Sequence, residues 1–108
     1  MSRTYAPEAS LTVGKTIQLD GMNLYYEEVG QGRPLLLLHG FGGCVQNWYP
    51  FTGQLAACFR LILVDLRGHG HSGNPENRFT HKEASVDLFR FLDHLGLETV
   101  DAMGMSTG

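Results

Sequence analysis

Two uninterrupted apolar runs stand out along this chain, Leu35-Leu36-Leu37-Leu38 and Leu61-Ile62-Leu63-Val64, each bounded by polar or glycine-rich residues. A continuous apolar run of this length predicts a strand buried on both faces, as in a parallel sheet covered by helices. Residues 99–103 predict a third core strand. Upstream, residues 16–19 and 22–29 read as two short strands around Asp20-Gly21. Asp-Gly between such runs predicts a hairpin, because a type I′ turn needs positive φ. Residues 1–15 carry no period and read as a loose leader, leaving 16–108 as one domain.

Between the strands the pattern turns helical. Pro50 opens a helix predicted over about 50–58, since a missing N–H costs nothing in the first helical turn. Thr80-His81-Lys82-Glu83 has the form of a capping box, with Glu83 expected to reach back to the Thr80 backbone N–H. Ala84, Leu88, Phe91, Leu92 and Leu95 follow at helical spacing, and Gly96 falls where a C′ residue belongs. The polar, glycine-rich stretch 66–79 reads as a loop. Hairpin, strand, helix, strand, helix, strand is the order of an α/β fold. It implies an N-terminal hairpin followed by parallel strands, with helices on the sheet faces.

Composition excludes several function classes. A hydrophobic content of 43% in 108 residues supports a core and argues against disorder. The formal charge of −3 is spread evenly, so there is no basic stripe for nucleic acid and no polybasic membrane patch. The apolar runs fall far short of the ~18 residues that span a bilayer, and the first residues lack a signal-peptide core. A soluble, cytoplasmic protein is the expectation. Cys44 and Cys58 then read as reduced packing residues. His69 and His71 lack companion ligands, so no metal and no other cofactor is expected, and both read as solvated loop residues. His81 and His94 read as helix-surface residues.

The chemistry sits at the ends of the three core strands. Gly104-Met105-Ser106-Thr107-Gly108 follows the third. Serine between two glycines there fits a tight strand-to-helix turn that pushes Oγ into the open. His39-Gly40-Phe41-Gly42-Gly43 follows the first, and its glycines let backbone approach a substrate closely. Asp65-Leu66-Arg67-Gly68-His69-Gly70-His71-Ser72 follows the second.

With these three motifs in this order, the sequence resembles the α/β-hydrolase superfamily, in the serine-nucleophile branch with an HG-x oxyanion loop. The resemblance runs from about Thr16 to Gly108, under half of a typical member. It implies Ser106 as nucleophile, with the backbone N–H groups of Phe41 and Thr107 as the oxyanion hole. Asp65 and Arg67 would organise their loop, and His39 would be a scaffold residue. A serine at the elbow implies an ester-like small-molecule substrate, as in esterases, lactonases, carbon–carbon bond hydrolases and perhydrolases. Aspartate at that place would imply dehalogenases or epoxide hydrolases.

In this family the triad runs Ser, then Asp or Glu, then His. The acid and base are therefore expected beyond Gly108, and the 108-residue chain alone is expected to be inactive. Residues 99–103 would form an uncovered hydrophobic edge, favouring self-association or pairing with a complementary chain, and the elbow is expected to relax. The alternative is an inert fragment or a binding subunit. A Rossmann-type nucleotide site is disfavoured, because no G-x-G-x-x-G follows the first core strand.

Overall fold

The computed structural model describes residues 13–19, 21–40, 42–74 and 80–104. Five strands form one mixed sheet: β1 (Val13–Leu19), β2 (Met22–Val29), β3 (Arg33–Leu38), β4 (Phe59–Val64) and β5 (Asp101–Gly104). Their spatial order is β1-β2-β4-β3-β5. The β1–β2 and β2–β4 pairs are antiparallel, while β3 pairs in parallel with both β4 and β5. The predicted hairpin is present, although Asp20 lies outside the described residues. β3 and β5 are neighbours although α/β crossovers through β4 separate them in sequence.

Backbone pairing extends the strands beyond their apolar patterns. β1 begins at Val13, inside the stretch read as aperiodic, because residues 13–15 pair with Glu28, Glu27 and Tyr26. They are exposed, so no alternation marks them. β3 and β4 each gain two residues at the start, where Arg33 pairs with Phe59 and Pro34 with Arg60. β5 starts two residues later than the sequence suggests, and all four of its residues are exposed.

Both faces of β3 and β4 are buried. On one face Leu36, Ile62 and Val64 pack with Leu24, Tyr26 and Phe91. On the other Leu35, Leu37, Leu61 and Leu63 pack with Val45 and Trp48. Odd and even residues therefore feed two cores, which is why these strands carry no polar alternation.

A 3-10 turn (Val45–Trp48) leads into α1 (Tyr49–Leu55), and together they cover the second face. Pro50 stands in the first turn as predicted, but the helix stops at Leu55 rather than at Cys58. Residues 56–58 form a turn closed by the Cys58 N–H on the Leu55 carbonyl. Cys58 is consequently exposed and is not a packing residue; Cys44 is half-buried, and both thiols are free.

The first face is covered by α2 (His81–Leu95). The Thr80 hydroxyl accepts the Glu83 N–H at 3.0 Å, as an N-cap should, and also donates to the Glu83 carboxylate at 3.3 Å. Gly96 ends the helix in the left-handed conformation, at φ +75°. Phe91 is fully buried, its ring edge-on to Tyr26 at 4.8 Å. No helix among the described residues is long and apolar enough to cross a membrane.

Candidate active site

The strand order reverses at β3. The chain leaves β3, passes through α1 on one face, and enters β4 on one side. It leaves β4, passes through α2 on the other face, and enters β5 on the opposite side of β3. Open α/β sheets bind ligands at such a switch point, beyond the carboxyl ends of the strands. Here those ends are level: Leu38 is the register partner of both Val64 and Gly104. The three motifs read from the sequence therefore leave the sheet from one rung, with neighbouring strands about 4.8 Å apart.

Phe41, Ser106 and Thr107, the residues expected to react or to bind the oxyanion, lie outside the described residues, as does residue 105. The structure places what flanks them: Gly40 and Gly42 around Phe41, and Gly104 at the end of β5.

Three hydrogen bonds among the described residues stitch the β3 loop to the β4 loop. The Leu66 N–H donates to His39 Nε2 at 2.9 Å, the Gly42 N–H to His69 Nε2 at 2.8 Å, and the Val45 N–H to Asp65 Oδ1 at 2.8 Å. The β3 loop is itself turned by the Gly43 N–H on the Gly40 carbonyl at 2.9 Å. Gly42 has φ +86°, a left-handed conformation that glycine adopts without a steric cost.

His39 is completely buried. Its Nε2 accepts from Leu66, so Nδ1 carries the proton and donates to the Gly40 carbonyl at 2.7 Å. Burial pushes its pKa below the ordinary value of 6.5; the Gly40 carbonyl and the Asp65 carboxylate oppose this, and His69 reinforces it. A neutral imidazole with both nitrogens engaged by backbone is a scaffold, as the resemblance implied.

Asp65 is also fully buried. Besides Val45 it accepts the His71 N–H on Oδ2 at 2.9 Å. Its backbone carbonyl accepts the Ser72 hydroxyl, and the Ser72 oxygen in turn accepts the Tyr25 N–H at 2.8 Å. The Asp65 carboxylate thus ties the 3-10 turn to the β4 loop, while its backbone carbonyl, through Ser72, ties that loop to β2. Arg67 is also buried and forms a two-pronged ion pair with Asp87 of α2, at 2.9 and 3.0 Å. Sequence reasoning missed Asp87, although a carboxylate three residues after Ala84, on the apolar stripe of α2, was a visible anomaly.

The two loop histidines differ. His71 is 70% exposed, as expected, with its ring tilted against Tyr25. His69 is not a solvated residue. It is half-buried, 4.8 Å from the His39 ring, and its Nδ1 donates to the Arg67 carbonyl at 3.0 Å while Nε2 accepts from Gly42. His94 is exposed, as predicted for a helix-surface residue. No group of three metal-capable side chains occurs among the described residues. Away from the loops, Glu27 is buried and accepts hydrogen bonds from the hydroxyls of Tyr25 and, at 2.7 Å, of Tyr49.

Comparison with known proteins agrees with this geometry. Residues 33–108 match the family model described as alpha/beta hydrolase fold. The chain is 36% identical over 105 residues to the dihydrolipoyllysine-residue acetyltransferase component of the acetoin cleaving system of Pseudomonas putida, covering 95% of this chain and 28% of that protein. It is 33% identical over 90 residues to a soluble epoxide hydrolase of Corynebacterium sp. (strain C12), covering 83% of this chain and 32% of that protein. Among solved structures, a bacterial membrane phospholipase A superposes with a TM-score of 0.86 at 26% identity, over 94% of this chain and 34% of the other. The chain thus spans about a third of the length of the proteins it resembles.

Proposed function

Since this chain belongs to the α/β-hydrolase family, we propose that it supplies the nucleophile and the oxyanion loop of a serine hydrolase acting on carboxylic-ester or lactone bonds. Ser106 is the nucleophile: its Oγ attacks the acyl carbonyl, the alcohol leaves, and water hydrolyses the acyl-serine. The N–H groups of Phe41 and Thr107 receive the oxyanion of each tetrahedral intermediate. The observation that carries this reading is the common rung of Leu38 and Gly104. It starts the oxyanion loop and the elbow from neighbouring points on the sheet.

Serine at position 106 favours acyl transfer over the chemistry of the epoxide hydrolase relative, because the branch that opens epoxides carries aspartate there. In the family's order the general base is a histidine that follows the nucleophile. Neither His39 nor His69 fits that role, because both ring nitrogens of each are engaged within the scaffold. The 108-residue chain by itself is accordingly inert.

A second reading, that this chain works with a complementary segment, draws on β5. All four of its residues are exposed, and Met103 shows 44% of its surface.

The test uses the polypeptide expressed from its own reading frame and, separately, the 108-residue chain. Both are treated with a fluorophosphonate probe and with p-nitrophenyl esters. The first is expected to be labelled at Ser106 and to lose turnover in Ser106→Ala; the second is expected to remain unlabelled. Turnover that survives Ser106→Ala overturns the assignment.

A further inference from the structure

The space beside Gly42 where a side chain would project is open. A Cβ built at that position would meet nothing within 4 Å among the described residues, and its φ of +86° is one that a glycine can leave readily. What fixes this point of the loop is hydrogen bonding: the neighbouring Gly43 N–H closes onto Gly40, and the Gly42 N–H closes onto His69. His69 is well anchored for that task. Its Nδ1–H donates to the Arg67 carbonyl, which determines the tautomer and leaves Nε2 bare as an acceptor. The Arg67 side chain is in turn clamped to Asp87 of α2, and the His69 ring lies against His39, whose Nδ1–H holds the Gly40 carbonyl. One histidine therefore grips the residue before Phe41 and another grips the residue after it.

We propose that His69 is a positioning residue for the oxyanion loop, fixing Gly42 through the bare Nε2 so that the adjacent Phe41 N–H is held ready for the developing oxyanion. The inference rests on the serine-hydrolase reading above and assigns His69 a role beyond that of a loop residue. It acts through backbone and touches no substrate.

The experiment compares His69→Phe, which keeps a ring but removes the acceptor, with His69→Gln, whose amide oxygen restores an acceptor near the Nε2 position. Both are made in the polypeptide expressed from its own reading frame. A loop donor that is present but loosely held weakens transition-state binding more than substrate binding. His69→Phe is expected to lower kcat about tenfold with KM nearly unchanged, the size of one hydrogen bond of ordinary strength. It should weaken inhibition by phenylboronic acid, whose tetrahedral adduct imitates the oxyanion, by a similar factor. Amide hydrogen exchange at Gly42 should accelerate, and His69→Gln should recover most of all three losses.

The proposal is overturned if His69→Phe leaves kcat and boronate affinity intact. It is equally overturned if kcat, KM and Tm fall together and His69→Gln rescues nothing. Failure of the underlying reading looks different, because hydrolysis would then persist in Ser106→Ala. In that case Gly42 exchange alone decides: acceleration in His69→Phe keeps the link, and unchanged exchange removes it.

Discussion

The carboxylate of Asp65 fills the space that a side chain at Gly70 would need. A Cβ at position 70 would lie 2.7 Å from Asp65 Oδ1 and closer still to Oδ2, at a residue whose φ is already +52°. Asp65 cannot retreat, because it is fully buried and holds the N–H groups of Val45 and His71. Gly70→Ala should therefore destabilise the fold by about 3 kcal/mol, combining left-handed strain with overpacking. Urea unfolding should show it as a lower midpoint, and an unchanged midpoint would refute the steric account.

The Arg67–Asp87 pair should be costly to halve and cheap to replace. Asp87→Ala leaves a buried guanidinium without its carboxylate and should cost about 3–5 kcal/mol. The double variant Arg67→Met with Asp87→Leu removes both charges and should recover a large part of that loss. The comparison needs only melting temperatures of the three proteins.

His39 makes stability depend on pH in a defined direction. Burial lowers its folded-state pKa, so the unfolded chain binds the proton more readily. Stability attributable to His39 is full above the unfolded value, near 6.5, and falls as acid drives protonation below it. His39→Gln, which keeps an acceptor for the Leu66 N–H, should flatten this part of the profile. Stability measured from pH 8 to pH 5 in both proteins checks the sign.

Tyr25 should titrate well above an ordinary phenol. Desolvation is the largest cause, followed by the hydrogen bond to Glu27 and its negative charge, with Tyr49 and Asp65 adding to the shift. A raised pKa favours the protonated phenol in the fold, so this contribution is complete below pH 10 and is lost as alkali drives ionisation. Glu27→Gln should bring the titration part of the way back, since burial remains. The difference in phenolate ultraviolet absorbance between the parent protein and Tyr25→Phe isolates this titration from the other three tyrosines.

How much of this was legible in the sequence depended on whether side chains or backbone carried the information. Leu35–Leu38 and Leu61–Val64 announced two-sided burial because every residue in them is apolar, and the cores they feed are as expected. The hairpin and the Thr80 cap were equally visible. By contrast, Val13, Gly14 and Lys15 join β1 through main-chain pairing that leaves no hydrophobic trace. The early end of α1 and the exposure of Cys58 also had no compositional marker. His69 was misjudged because its role lies in a contact with Gly42, twenty-seven residues away. Motif order and the resemblance named Asp65, Arg67 and His39 as loop scaffold, but not His69 or Asp87, which hold the same loops.

The level ending of β3, β4 and β5 has a consequence for how such a chain can change. Leu38, Val64 and Gly104 act as a shared datum line. A residue inserted before that line, within a strand, advances everything after it by about 3.3 Å and turns the pleat over, so the loop beyond departs from the wrong height and face. A residue inserted after the line merely lengthens a loop. Tolerance to insertion should therefore switch abruptly at Leu38, Val64 and Gly104, and grafted specificity segments belong on the loop side of that boundary.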